Sequence, residues 1–257
     1  MAENYVIEDA ISKLANAMRI YGEAQGRFSA LFKVDPEEAI DNVDSAFEMK
    51  LERFHTLYDV SKHAFPYLEH GDTSLLITVR NAIHHRDHPL FHSLNRRLHL
   101  QDGVRDSLGA SFLLGKHPAT HGGQILMSHF IRLDDIDARI DPDIGSPHVD
   151  QLVTGNRARR RLETINSQLN LAKIRDRAVR DRYPTDQVYL DLMPIYVSAL
   201  CKVFKALREL GVGFNGFDAN AYLPPFTSEL AVDLNSVEFS RLWLRGFGPI
   251  DLVPIPV

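Results

Sequence analysis

Apolar residues return every third or fourth position through most of the first eighty residues. Ile7, Ile11, Leu14 and Met18 form one such stripe, and Ala39, Val43, Phe47, Leu51, Phe54 and Leu57 form a second. Both predict amphipathic helices. The second begins with its own signal: Asp35 as N-cap, Pro36 in the first turn, and Glu37 and Glu38 against the positive helix end. "FPYLEHGD" breaks the period with Pro66 and Gly71. Asp72 or Thr73 then caps a third predicted helix through "SLLITVRNAIHH", and Pro89 stops it soon after His88.

The pattern changes after residue 100. "GASFLLGK" (109–116) and "GQILMSHFIRL" (123–133) are short apolar runs opened by glycine, which predict two strands of a β-hairpin. An acidic loop, "DDIDARIDPDIGSP", follows. Helical spacing resumes over roughly 148–181 and 185–210, with a kink expected at Pro194 and an end at Gly211 and Gly213. The Pro- and Gly-rich tail is expected to wrap the body as loop and short strand, or to dock its apolar end on a second subunit. The expected fold is mainly α: a helical bundle with a small β-hairpin insertion and an irregular C-terminal tail. Three regions follow: 1–100 helical, 101–147 hairpin and acidic loop, and 148–257 two long helices and tail, packed on the same body.

Composition narrows the function classes. With 29 Lys and Arg against 34 Asp and Glu, the net charge of −5 argues against coating nucleic acid through bulk positive charge, although a local basic face stays open. A single cysteine, Cys201, excludes a disulfide framework and a Cys-rich zinc site. "MAENYVIEDAISKL" is acidic and amphipathic rather than a secretory leader, and no apolar run approaches the ~18 residues of a membrane span, so a cytoplasmic protein without membrane partners is expected.

One stretch is unusual. "TVRNAIHHRDHPLFHSL" sets Arg80 and Asn81 just ahead of His84, His85, His88 and His92. On a helix, Arg80 and His84 share a face, as do Asn81 and His85, while Arg80 and His85 lie roughly 140° apart. Leu75, Leu76, Val79 and Ile83 form the opposite, apolar side. An imidazole that titrates near neutral pH can move a proton, and a forked guanidinium can stabilise a phosphorane-like charge.

Arg80-Asn81-Ala82-Ile83-His84-His85 resembles the Arg-x4-6-His motif of HEPN domains, helical modules of toxin–antitoxin, abortive-infection and CRISPR-associated ribonucleases. The resemblance covers residues 5 to 90. It implies metal-independent RNA cleavage at a homodimer interface, with Arg80 stabilising phosphate charge, His85 as acid or base, and Asn81 orienting. His84, Arg86, Arg159 and Arg160 are the expected substrate contacts. An antitoxin or regulatory partner is implied, and no cofactor or metal is expected. The motif departs from many HEPN domains in that about 170 residues follow it.

Other readings stay open beside this one. Arg80 can instead pair with Glu69 or another carboxylate, making the chain a non-catalytic helical module for RNA or protein. His84, His85, His88 and His92 have helical spacing for a metal, yet an H-E-x-x-H partner is absent. "GASFLLGK" has five residues between its glycines and no Ser or Thr after Lys116, so it is not a phosphate-binding loop. Asp134, Asp135, Asp137, Asp141 and Asp143 lack EF-hand spacing and are expected as a solvated turn. Between 157 and 182, nine basic side chains face three acidic ones, a helix that can follow an RNA backbone or serve as a solvated face.

Overall fold

The computed structural model describes residues 2–84, 90–100, 103–151 and 153–244. Helices α1 (Ala2–Phe32) and α2 (Pro36–Ser61) form an antiparallel hairpin whose short connection is closed by the α2 cap. Asp35 holds extended backbone and accepts a hydrogen bond from Glu38 N–H at 3.0 Å, as its place in the sequence predicts. The two stripes meet: Ile7, Ile11 and Leu14 are buried, as are Val43, Phe47, Leu51, Phe54 and Leu57.

Helix α3 (Gly71–His84) crosses this hairpin and packs against later helices, chief among them α7 (Asn156–Gln168) and α9 (Leu192–Glu209). Its residues from Gly71 to Val79 are buried, so the polar groups at Arg80, Asn81 and His84 mark where it emerges. Gly71 sets its spacing from α7. A Cβ there would lie 2.9 Å from the Thr164 carbonyl oxygen and 3.0 Å from Gln168 Cβ. The same glycine donates its N–H to Gln168 Oε1 at 2.7 Å.

The remaining elements are α4 (Leu94–His99), α5 (Gly103–Asp106), β1 (Ser111–Lys116), β2 (Ala119–His121), β3 (Phe130–Arg132), α6 (Leu133–Ile140), α8 (Leu171–Arg180), β4 (Val188–Asp191), β5 (Ala231–Val232) and β6 (Glu238–Trp243). The described chain is thus mainly helical with a small mixed sheet. The expected hairpin is corrected: β1 does not pair with β3. The sheet runs β3-β4-β1-β6, with β1 and β4 parallel and both outer pairs antiparallel. Strand β4 holds the centre, its four residues all buried.

Four further expectations change. The 185–210 helix starts instead at Leu192, because "VYLD" is the central strand, and a strand buried on both faces has no alternation to distinguish it. Asp191 ends that strand and caps α9 through Met193 N–H. Pro194 therefore falls in the first turn, where N–H groups have no helical partner, and causes no break. The 148–181 helix divides into α7 and α8 at Asn170, which adopts φ +50° and donates Nδ2 to the Asn235 carbonyl. The first part of the acidic segment, with Asp134, Asp135 and Asp137, is helix α6 rather than a solvated turn, while Asp141 and the exposed Asp143 do form a turn after it. Asp135 on α6 is fully buried and accepts from Phe91 N–H, Arg97 and Arg132. Asp137 pairs with Arg175.

A polar knot sits in the core between α2, α9 and β3. Lys50 is 1% exposed, with Nζ 3.0 Å from Met193 Sδ and 3.8 and 4.1 Å from the ring centres of Tyr21 and Tyr196. Burial pushes its pKa well below the ordinary lysine range, which favours the neutral amine. His129 stacks on Phe47 with ring centres 3.6 Å apart. Burial first, and Lys50 second, pull its pKa down to about 3. Asp191 accepts from the backbone N–H of His129, and burial raises its carboxyl.

Candidate functional site

The exposed end of α3 meets α2 at Glu52. Arg80 Nε and Nη2 both donate to Glu52 Oε2, at 3.0 and 2.7 Å. His84 Nδ1 lies 3.4 Å from Glu52 Oε1, so the two residues four apart do share a face. Arg80 Nη1 also donates to Asn81 Oδ1 at 3.2 Å. The Arg80 side chain is 19% exposed, Glu52 41% and His84 60%, so the guanidinium is the recessed member. One carboxylate thus holds both a cation and an imidazole. An Nδ1–H directed at Glu52 makes Nε2 the proton-accepting nitrogen of His84.

One turn along α2, His55 Nδ1 lies 3.2 Å from Asp59 Oδ2. Burial and then the Arg80 charge push the His55 pKa down, with Asp59 and Glu52 opposing. This imidazole is therefore biased toward its neutral form.

Two clefts flank this end of α3, and they share no lining residue. The smaller, about 170 Å³, lies between α2 and α3 and is lined by Glu48, Glu52, Arg80 and His84 among others. The larger, about 570 Å³, opens between α2, α3 and α7, with Asn81 on one wall and Arg157, Arg160 and Arg161 on the other. Arg157, Arg160, Arg161 and Thr164 repeat at helical spacing, so a single face of α7 supplies that wall. Arg161 is 10% exposed and bonds Asp150 Oδ2 at 3.1 Å, while Arg139 approaches the same carboxylate at 3.7 Å. The Nε atoms of both arginines are buried without a hydrogen-bond partner.

Of the residues expected from the sequence, the structure brings Arg80, Asn81 and His84 together and sets Asn81 opposite Arg160. Arg159 is exposed and does not line either cleft. His85, Arg86 and His88 lie outside the described residues. The expected basic stretch is partly neutralised within the chain, by Arg161–Asp150, Arg175–Asp137 and Arg177–Asp181. Sequence reasoning missed Glu52 and His55, and within the basic stretch it singled out Arg159 rather than Arg157 and Arg161. The spacing of Arg157, Arg160 and Arg161 was available as a signal; nothing along the chain links Glu52 to Arg80. Among the described residues, no group of three His, Cys, Asp or Glu side chains is arranged to hold a metal ion, and no helix is long and apolar enough to cross a membrane.

Comparison with protein-family models, with curated proteins and with solved structures finds no match to this chain.

Proposed function

We propose that this chain is an endoribonuclease of the HEPN type, acting as a homodimer and needing no metal for catalysis. One observation carries the reading: Glu52 gathers Arg80 and His84 in one cleft, while the adjacent Asn81 lines a second cleft that is walled by arginines. RNA cleavage by its own 2′-hydroxyl needs little more than these groups. An imidazole takes the 2′-hydroxyl proton, the 2′-oxygen bonds to phosphorus, and the bond from phosphorus to the 5′-oxygen breaks. A second, protonated imidazole gives that oxygen its proton, leaving a 2′,3′-cyclic phosphate and a 5′-hydroxyl. His84 and His85 supply the imidazoles. Arg80 stabilises the charge gathered on phosphorus, and Asn81 orients the strand. Arg157, Arg160 and Arg161 hold the phosphates around the scissile one.

A second reading is favoured by a specific contact. Two of the Arg80 donors are already committed to Glu52, which suits a module that binds RNA without cutting it. One experiment separates the two. Wild type, Arg80→Ala, His85→Ala and Glu52→Gln are incubated with mixed RNA in EDTA, and the ends of the products are analysed. The nuclease reading expects cyclic-phosphate ends from wild type, with losses of about 100-fold or more for Arg80→Ala and His85→Ala. Glu52→Gln keeps the shape and removes the charge that orients His84, and should lose about 10-fold or more, as losses of orienting partners do elsewhere. RNA left intact by wild type, yet retained on the protein, moves the assignment to the binding module.

A further inference from the structure

The larger cleft has a floor as well as a charged wall. Tyr58, Leu68, Ile77 and Val153 line it below the arginines of α7. Leu68 is 51% exposed there, a large aliphatic group left open to solvent beside guanidinium groups. Backbone phosphates alone require no apolar floor. A nucleotide requires both surfaces, one for the face of its base and one for its phosphate. The cleft's volume of about 570 Å³ falls within the ordinary range for small-ligand sites.

The charge on the wall is real despite nearby acids. Asp150 serves two guanidinium groups, whereas Asp59, beside a His55 biased toward neutrality, keeps its charge on the α2 side of the cleft. Arg157 and Arg160 make no ion pair among the described residues, while Glu69 at the rim opposes them. Arg161 is nine-tenths buried with an Nε that lacks a partner. A buried guanidinium that shares its carboxylate with a second arginine is incompletely compensated, and an anion in the cleft completes it.

We propose that the cleft between α2, α3 and α7 receives one unpaired nucleotide of the RNA strand. Its base lies on the Tyr58–Leu68–Val153 floor, and its phosphate lies against Arg157, Arg160 and Arg161. Asn81, whose amide offers both donors and an acceptor, reads the edge of the base. This inference takes RNA as the substrate class from the proposal above and adds that the strand must be single at the site. A duplex cannot insert a base without unpairing it.

Binding is measured on the full chain with a 2′-O-methyl oligonucleotide, which cannot be cleaved, so the result does not depend on the nuclease proposal. The intact strand should bind at least 10-fold tighter than a strand abasic at one central position. Val153→Trp, which fills the floor, should bring the two strands to equal affinity. Arg160→Ala should weaken both alike and lower the salt dependence by about one counterion. Equal affinity of wild type for the intact and abasic strands overturns the proposal. So does binding of a free nucleoside monophosphate with no binding of the strand, which would assign the cleft to a free nucleotide. Base-dependent binding without any cleavage in EDTA would keep this site and remove the nuclease.

Discussion

Replacing His129 with Phe should make the protein less sensitive to acid. The ring is buried against Phe47, and its pKa falls from an ordinary 6.5 to about 3. Because the shift is downward for a base, the unfolded chain accepts a proton below pH 6.5 while the folded chain cannot. Stability is unaffected above that value and is lost as pH falls from 6.5 toward 3. Each pH unit in that window costs about 1.4 kcal/mol, so two units down, at about pH 4.5, the loss from this one ring is about 2.7 kcal/mol. Phe keeps the stacked ring and removes the titration. It adds a little volume, an effect that is the same at every pH and so drops out of the comparison. Urea unfolding followed by circular dichroism would be run on both proteins at pH 7.5 and 4.5. The wild type should lose about 2.7 kcal/mol more than the variant between these conditions, with carboxylate effects common to both cancelling. Parallel losses in the two proteins would show that the ring titrates as though in water, and the closed core at α2 and β3 would be refuted.

Two other predictions follow from the same packing. Lys50→Met puts an unbranched apolar chain where a neutral amine now sits among Tyr21, Tyr196 and Met193. It should raise the melting temperature, and the gain should grow as pH falls from about 10.5, since only the unfolded lysine then takes up its proton; an unchanged or lowered melting temperature at pH 7 would count against a neutral amine. Gly71→Ala introduces a Cβ 2.9 Å from the Thr164 carbonyl oxygen and should cost about 1–3 kcal/mol in urea unfolding. A change within about 0.5 kcal/mol would mean that α3 and α7 separate freely, and that the cleft between them is not fixed.

The parts legible in the sequence were those whose signal is local. The α1 and α2 stripes, the Asp35 cap and the helix bearing Arg80 each depend on residues within a few turns of one another. The sheet was not legible, because β1 finds its partners at 188–190 and 238–243, far along the chain. The same distance hid half of the site. Arg80, Asn81 and His84 announced themselves by spacing, but Glu52 sits 28 positions earlier on a helix whose polar face carries many carboxylates. Asp135 misled for a related reason. In a run of five aspartates it reads as solvated, whereas Arg97, brought from α4, joins Arg132, three positions before it, and lets it sit at 0% exposure.

Glu52 also decides whether the sequence motif is available for chemistry. An arginine locked to a deeply buried carboxylate would be costly to release, and a phosphate would find no free guanidinium. Here the carboxylate is 41% exposed, so water screens the pair strongly. Surface pairs are worth about 0–1 kcal/mol, and the recessed Arg80, 19% exposed, puts this one at the upper end. A charge-stabilising group at a phosphoryl or acyl centre is worth about 3 kcal/mol in the transition state. The second quantity is the larger, so a phosphate can draw Arg80 from Glu52 as negative charge builds on it. The carboxylate then remains beside His84, whose Nδ1 lies 3.4 Å from its other oxygen. On these magnitudes Glu52 arranges the pair at rest without removing it from use.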